Sequence, residues 1–302
     1  MNTKNNHIAN ILKQAKHVYH YTSFETIFAI LHEYKKNGKD FCLRASNIYN
    51  VNDPNEMIIG FDKTKELILK YEENHHIPKE KKLSEVYDSP EQISECKNDY
   101  LYGKGLYEKE HGTIPYIVSF SKRKDFLPMW SMYGKQCKGI CLIIDLNCLI
   151  SDQPNCSLFD FVYYTKKDDT STIEYIISSI YDSYLRQYND KKNKAFELAT
   201  ICLAAAPFFK HKDYQYEREF RITTYKSYVD ITIPQKPLLT AEKKKVETYI
   251  PIDIPIEALK GIIIGPDANY EVMRDILSLE LKECGLDPRI ITKSQISFKQ
   301  NK

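Results

Sequence analysis

Apolar residues follow two different spacings near the start of the chain. Val18, Tyr19 and Tyr21 favour a pleated surface and predict a strand at His17–Thr22. Residues 24–34 carry apolar side chains at helical spacing and predict an amphipathic helix that ends near Gly38, with Ser23 as its cap. The chain therefore opens with a strand followed by a helix.

The same criteria predict the remaining elements, and their order indicates the fold class. Strands are predicted at residues 41–45, 115–121, 138–146, 159–164, 217–225, 248–254, 261–265 and 289–293, and helices at residues 57–74, 90–107, 172–206 and 269–284. Strands occur before, between and after helical blocks without regular alternation, which predicts an α+β fold. We expect a mostly antiparallel central sheet, intact or split, flanked by helices. Without an internal repeat or a low-complexity linker, residues 1–302 are predicted to form a single domain.

Composition restricts the class of protein. The 43 basic and 41 acidic residues give a net charge of +2, so a global attraction for nucleic acid is weak. Three short basic runs, at residues 79–82, 122–124 and 243–245, are candidates for a local patch, although such runs are more typical of a solvated surface. No apolar run approaches the roughly 20 residues that cross a bilayer. The first residues lack the apolar stretch of a secretory signal, so the sequence predicts a cytoplasmic protein.

Common catalytic motifs are absent, and three separated segments carry candidate chemistry instead. In the first, His20 ends a strand directly before a helix, where it can contact a hydroxyl or phosphate of a ligand or be a structural histidine. The second comprises residues 117–121 and 129–133 and contains Trp130, the only tryptophan. Its aromatic rings favour either stacking on a planar ligand or core packing.

The third segment combines two carboxylates with a guanidinium. Strand alternation would place Glu217, Glu219 and Arg221 on one face, an arrangement that can stabilise a cation. Neighbouring carboxylates can raise one pKa, while the arginine keeps the other carboxylate ionised. Cross-strand ion pairs at a sheet edge would give the same pattern.

Residues 47–56 are rich in Asn, Asp and Pro and predict a polar loop. Its Asn52, Asp53 and Glu56 can cap the following helix. The role of the segment 52–56 otherwise stays open.

The chain resembles an uncharacterised bacterial family, the domain of unknown function 2971, over about residues 17–285. The resemblance depends on the following motifs, in order: His20-Tyr-Thr-Ser23, Leu43-Arg-Ala-Ser46, Asn52-Asp-Pro-Asn-Glu56, Ser119-Phe-Ser121, Met129-Trp-x-x-Tyr133, Tyr216-Glu-x-Glu-x-Arg221 and Ile263-Ile-Gly-Pro266. The Asn-Asp-Pro-x-Glu and Met-Trp-x-x-Tyr elements are the specific ones.

The order of a strand-end histidine, a central strand with Ser or Tyr and a late Glu-x-Glu strand is also similar to the ADP-ribosyltransferase superfamily. This resemblance implies an enzyme that consumes NAD and transfers ADP-ribose to a nucleic-acid or protein acceptor. It further implies a toxin or phage-defence effector, with an antitoxin or immunity protein as a partner.

The same resemblance implies roles for individual residues. Glu219 would stabilise the positive charge that develops on the ribose, and Glu217 would orient the acceptor or the ribose. The cofactor-binding set would consist of His20 on the adenosine ribose, Thr22 or Ser23 on a neighbouring amide, Arg44 on the pyrophosphate, Tyr133 or Trp130 on nicotinamide, with Ser119 and Arg221 beside them.

Two other classes of protein fit the same residues. One is a non-catalytic nucleotide-binding or interaction module that uses the same cleft. The other is a metal-dependent nuclease whose ligands would be Asp53, Glu56, Glu217 and Glu219, although no metal site is predicted for the leading class. A Glu219→Gln variant separates catalysis from binding, and a chelator tests the nuclease.

Overall fold

The fold is that of a computed structural model of the chain. The structure describes residues 3–38, 40–48, 51–53, 55–88, 113–151, 158–164, 170–188, 194–227, 236–240 and 245–298. Within these ranges, no helix has both the length and the apolar character that crossing a membrane requires. The helix predicted at residues 90–107 lies outside the described residues.

The described strands form one open, mostly antiparallel sheet, with a single parallel pair between β9 and β10. The strands are β1 (His17–Thr22), β2 (Asp40–Asn47), β3 (Thr113–Ser121), β4 (Ile140–Asp145), β5 (Leu158–Phe161), β6 (Glu219–Ser227), β7 (Lys236–Thr240), β8 (Lys245–Pro255), β9 (Leu259–Ile264) and β10 (Ile291–Lys293). The order across the sheet is β10-β9-β4-β1-β3-β2-β8-β7, and β6 pairs with β3 and β5.

Strand β3 is the point at which the sheet divides. One edge of β3 pairs with β6 along its full length, from Thr113 with Ser227 to Ser121 with Glu219. The other edge of β3 pairs with both β1 and β2. Strand β2 pairs with Tyr116 and Ile117 of β3, whereas β1 pairs with β3 only at Ser121. Strands β1 and β2 consequently diverge beside residues 118–120 and leave a gap in the sheet.

Helices cover the sheet and form two main cores. They are α1 (Thr3–Gln14), α2 (Phe24–Asn37), α3 (Glu56–Asn74), α4 (Leu127–Met132), α5 (Leu146–Ser151), α6 (Ser171–Arg186), α7 (Lys194–Ala205) and α8 (Tyr270–Glu283). Apolar residues of α1, α2, α5 and α8 pack with the strands in one core. Apolar residues of α3, α6, α7 and the short helix Ala206–Phe208 form the other.

Most predicted elements are confirmed, as is the α+β class with a mostly antiparallel central sheet flanked by helices. Strand β1 has the predicted bounds, and α2 ends at Gly38, which adopts the left-handed conformation of a C-cap. The continuous helix predicted at residues 172–206 is wrong, because α6 ends at Arg186 with Gln187 as its C-cap. Helices α1, α4 and α5 and strand β7 were not predicted.

Candidate functional site

A cavity of about 290 Å³ opens at the gap between β1 and β2. The walls come from strands β1, β2, β3 and β6 and from segments that connect the strands and helices. Its polar and charged lining residues are Tyr19, His20, Tyr21, Arg44, Ser46, Asn52, Ser119, Ser121, Tyr133, Lys210, Glu217, Glu219 and Arg221. The volume is close to the lower end of the range typical of small-molecule sites, about 300 to 1,000 Å³.

Buried charges form one wall of this cavity. Lys210 Nζ lies 2.6 Å from Glu217 Oε2 and 2.7 Å from Glu219 Oε1. Arg221 Nε donates to Glu219 Oε2 at 2.6 Å, and its Nη1 donates to Glu56 and to the Pro207 carbonyl. We call Glu56, Lys210, Glu217, Glu219 and Arg221 the ion cluster. Fully ionised, it has three negative against two positive charges and therefore a net charge of −1.

Glu219 is the ionised carboxylate of the ion cluster. Burial by itself would raise the pKa of Glu219, but the positive charges of Arg221 and Lys210 outweigh burial and hold that pKa well below its usual range. The same carboxylate raises the pKa of Lys210 and of Arg221 despite their burial. Glu219 is thus a fixed negative charge at neutral pH, with its orientation set by two cations.

Glu217 is the proton-bearing carboxylate. Burial, together with the hydrogen bond and negative charge of Glu219, raises the pKa of Glu217 to about 7. Tyr133 donates to Glu217 Oε1 at 2.6 Å, and Asn52 Nδ2 lies 3.3 Å from the Tyr133 hydroxyl. Since these groups interact strongly, the proton belongs to the ion cluster as a whole. The site can therefore gain or lose one proton near neutrality.

His20 crosses the gap in the sheet. Its Nδ1 lies 3.0 Å from the Ser119 carbonyl oxygen, which can only accept, so Nδ1 carries the hydrogen. Burial lowers the pKa of His20, despite that bond, and keeps the imidazole neutral at pH 7. Its Nε2 consequently has a lone pair that can accept from a ligand hydroxyl.

The cavity brings together seven of the ten predicted site residues: His20, Arg44, Ser119, Tyr133, Glu217, Glu219 and Arg221. Arg44 is exposed, and its guanidinium carbon lies 4.9 Å from the centroid of the Tyr249 ring. The assignment of Arg221 to direct ligand contact needs correction. Its side chain is 1% exposed and is occupied by Glu56, Glu219 and Pro207, so it orients the carboxylates.

The remaining predicted residues do not line this cavity. Trp130 is completely buried, meets Tyr21 edge-on at 4.9 Å and donates from Nε1 to Asp125, so the prediction that it stacks on a ligand is wrong. Ser23 accepts from the Thr26 amide and caps α2, as the sequence predicted for that position. Thr22 pairs with Ile140 at the end of β1. The predicted contact of Thr22 or Ser23 with the ligand therefore has no counterpart in this cavity.

The polar loop contributes through Asn52 and Glu56. Glu56 is 1% exposed and hydrogen-bonded to Arg221, whereas Asp53 Oδ1 accepts from the Asn55 amide. Within the described ranges, no group of three or more His, Cys, Asp or Glu side chains is arranged to hold a metal ion. The ammonium of Lys210 already lies between Glu217 and Glu219, where a nuclease would need its metal.

Lys210 and Ser121 are among the polar residues of the site to which the sequence assigned no role. Lys210 follows the apolar run 203–209, and a lysine at the end of such a run is the only local signal of its burial. Ser121 lies in a quoted motif, and its Oγ donates to the Glu217 carbonyl at 2.5 Å. This bond fixes the turn that carries Glu217 against the end of β3.

Comparison with known proteins gives one match. Residues 129–222 match the model of a family described as "Protein of unknown function (DUF2971)", which supports the resemblance drawn from the sequence motifs. The matched segment includes Tyr133, Lys210, Glu217, Glu219 and Arg221. No curated protein and no solved structure matches the chain.

Proposed function

We propose that this cavity binds NAD as a substrate and transfers its ADP-ribose to a nucleic-acid or protein acceptor. The observation that carries the proposal is the divided edge of β3, because it places His20, Ser119 and the two glutamates around one cavity. These residues come from three segments whose order resembles the ADP-ribosyltransferase superfamily. A split sheet with the ligand in the split is the fold that this resemblance implies.

The lining supports a specific orientation of NAD. His20 Nε2 accepts from a hydroxyl of the adenosine ribose, and exposed Arg44 meets the pyrophosphate, which a guanidinium binds through two parallel hydrogen bonds. The nicotinamide ring lies beside Tyr133. The cavity volume of about 290 Å³ accommodates part of the dinucleotide, and the rest follows the open mouth toward Arg44.

The chemistry uses the negative charge of the ion cluster. The bond between the ribose C1′ and the nicotinamide nitrogen breaks, nicotinamide leaves with the electron pair, and positive charge develops on the sugar. Glu219 stabilises that charge, and electrostatic stabilisation of a transition state is commonly the largest single contribution to catalysis. The acceptor nucleophile then bonds to C1′ and gives its proton to Glu217, whose hydrogen bond from Tyr133 orients it.

Turnover should depend on the protonation of Glu217. Because its pKa is raised to about 7, the ion cluster has its full net charge of −1 only above that pH. Ionised Glu217 is also the form that accepts a proton. We therefore expect nicotinamide release to rise with pH through about 7 and to level off above it, with one proton controlling the transition.

The test is to incubate the purified protein with NAD and a panel of acceptors and to measure nicotinamide release. We expect release by the native protein and a loss of about 100-fold or more in Glu219→Gln. That variant also leaves two buried cations short of a partner, a change that typically costs about 3–5 kcal/mol of stability. The nearly isosteric Glu217→Gln reproduces the protonated form of Glu217 and should therefore stay folded. We expect this variant to lose most of its turnover at pH 8.

Control measurements define the outcome. An Arg186→Gln variant, which removes an exposed cation on α6, should release nicotinamide at the native rate. Nicotinamide release should persist with a chelator, whereas chelator-sensitive cleavage of nucleic acid without nicotinamide release would favour the nuclease. Equal rates in native protein and both glutamate variants, or no release with any acceptor, would reject the transferase.

A non-catalytic nucleotide-binding module is the second candidate. Lys210 and Arg221 contact both oxygens of Glu219 and offset part of the negative charge of Glu219. Less negative charge is then left to stabilise a cation on the ribose, which favours binding without catalysis. Calorimetry with NAD separates the two functions. Binding that depends on His20 and Arg44 without nicotinamide release would establish the module.

A further inference from the structure

Glu219 also lines a second cavity, of about 270 Å³, at the start of β6. Gln14, Lys122, Phe161, Tyr164 and Arg218 are among its other lining residues. The Tyr164 hydroxyl accepts from the Glu219 amide at 2.9 Å, so the wall of this cavity is fixed to the reactive strand. A ligand in the second cavity would therefore lie next to the ion cluster.

Lys122 and Arg218 give this cavity its charge. The Lys122 amide donates to the Arg218 carbonyl at 2.8 Å, so the two residues lie on adjacent backbone segments. Neither cation forms an ion pair with a carboxylate of the described residues; Lys122 Nζ instead lies 4.5 Å from the centroid of the Phe161 ring. Glu219 directs both of its oxygens toward Lys210 and Arg221. The cavity thus has two positive charges that are not matched within it.

Two further features indicate that this charge suits an anion. Burial, and after it the positive charge of Arg218, lowers the pKa of Lys122, so a bound anion would relieve a repulsion that already exists. Arg218 adopts a φ of 43°, a left-handed conformation unfavourable for a residue other than glycine. Strained backbone of this kind occurs preferentially at ligand sites.

We propose that Lys122 and Arg218 bind the phosphate backbone of a single-stranded nucleic acid, the acceptor in the transfer proposed above, on which this assignment depends. The next two residues along the chain, Arg123 and Lys124, are exposed cations that form no ion pair with the described carboxylates. Several cations close together in the chain match successive phosphates better than a single phosphate on a protein side chain. A single strand can also turn an unpaired base toward Glu219, which a duplex cannot do without unstacking.

The test measures binding in the absence of NAD, so that its result is independent of turnover. Fluorescence anisotropy would follow a labelled, mixed-sequence DNA strand of about 12 nucleotides between roughly 50 and 200 mM salt. Lys122→Gln and Arg218→Asn should each weaken the Kd about tenfold at low salt, the loss of one charge-assisted phosphate contact. Each should also reduce the dependence of log K on log salt by about 0.7.

The variants are chosen to preserve the fold. Asn is among the residues that tolerate the left-handed conformation, so Arg218→Asn removes the guanidinium without straining the turn further. Arg186→Asn on α6 removes an exposed cation outside the cavity and should bind as the native protein does.

Four outcomes would overturn part or all of the proposal. A native protein that does not bind the strand, or variants with native Kd and salt dependence, would overturn it. A phosphopeptide that binds more tightly than DNA through Lys122 would overturn the nucleic-acid assignment. Binding through Lys122 and Arg218 without nicotinamide release would keep the phosphate site and overturn only the transferase function.

Discussion

The two ring nitrogens of His20 have separate tasks in this structure. Nδ1 donates to the Ser119 carbonyl and holds the ring across the gap between β1 and β2. Nε2 is left as the acceptor that the proposal assigns to a ribose hydroxyl. The sequence left a structural and a functional interpretation of this histidine as alternatives. In the structure the two interpretations apply to different atoms of one side chain.

A substitution can separate those two tasks. In His20→Asn the amide Nδ2 occupies about the position of Nδ1 and retains the bond to Ser119, but no acceptor replaces Nε2. We expect the KM for NAD to rise about tenfold, equivalent to one lost hydrogen bond of about 1.4 kcal/mol, while the melting temperature stays near native.

His20→Ala is the matched comparison, because it removes both contacts and should lower the melting temperature as well. Steady-state nicotinamide release and thermal unfolding check this pair. An unchanged KM in His20→Asn would contradict the role of Nε2.

Helix α3 and the segment Ala206–Phe208 position the ion cluster from outside the sheet. Glu56 begins α3, and the Pro207 carbonyl accepts from Arg221 at 2.5 Å. Their contact is so close that a Cβ atom on Gly60 would lie 2.2 Å from the Ala206 carbonyl oxygen. Gly60 is thus required for the packing that brings Glu56 to Arg221.

A methyl group at Gly60 should therefore displace α3 from the segment Ala206–Phe208 and so disturb the ion cluster. We expect Gly60→Ala to lower the free energy of unfolding by about 1–3 kcal/mol, because the backbone of one segment must move. Nicotinamide release should fall with it, since Arg221 loses its fixed partners. Leu69→Ala on the same helix, where the side chain is 40% exposed, should change stability by only about 0.5 kcal/mol. Native stability in Gly60→Ala, measured by denaturant unfolding, would contradict this packing.

Across the whole molecule, the ion cluster joins α3, the segment that follows α7, and strand β6. Its titration should therefore appear in global stability. The pKa of Glu217 is raised to about 7 in the folded state, so the native protein binds this proton more tightly than the unfolded chain does. That stabilisation is fully present below the unfolded pKa of about 4.5 and is lost as pH rises through about 7.

Glu217→Gln removes this titration, because the amide mimics the protonated form at every pH. We expect the unfolding free energy of Glu217→Gln relative to the native protein to increase between about pH 4.5 and 7, by an amount on the order of 2–3 kcal/mol. Urea unfolding at several pH values measures the difference. A difference that does not vary with pH would show that Glu217 titrates normally in the folded protein.

The sequence by itself determined the elements and their class. Residues that favour a pleated surface located β1, and helical spacing located α2. The mixed order of strands and helices predicted the α+β class. The residues His20, Ser119, Glu217 and Glu219 were identified because their chemistry is visible in the residue types. The end of α6 at Arg186 escaped this reasoning, although the polar run at residues 187–194 interrupts the apolar spacing there.

Only the tertiary structure decided which side chains share the cavity. The division of β3 between β1 and β2 is a long-range pairing that no local pattern encodes. The packing of α4 likewise places Tyr133 in the cavity and buries Trp130 against Tyr21. Lys210 joined the site for the same reason. Its ammonium pairs with Glu217 and Glu219 and also lies 3.9 Å from Glu56, which is distant in sequence. Its place therefore depends on packing between elements that the sequence describes only one at a time.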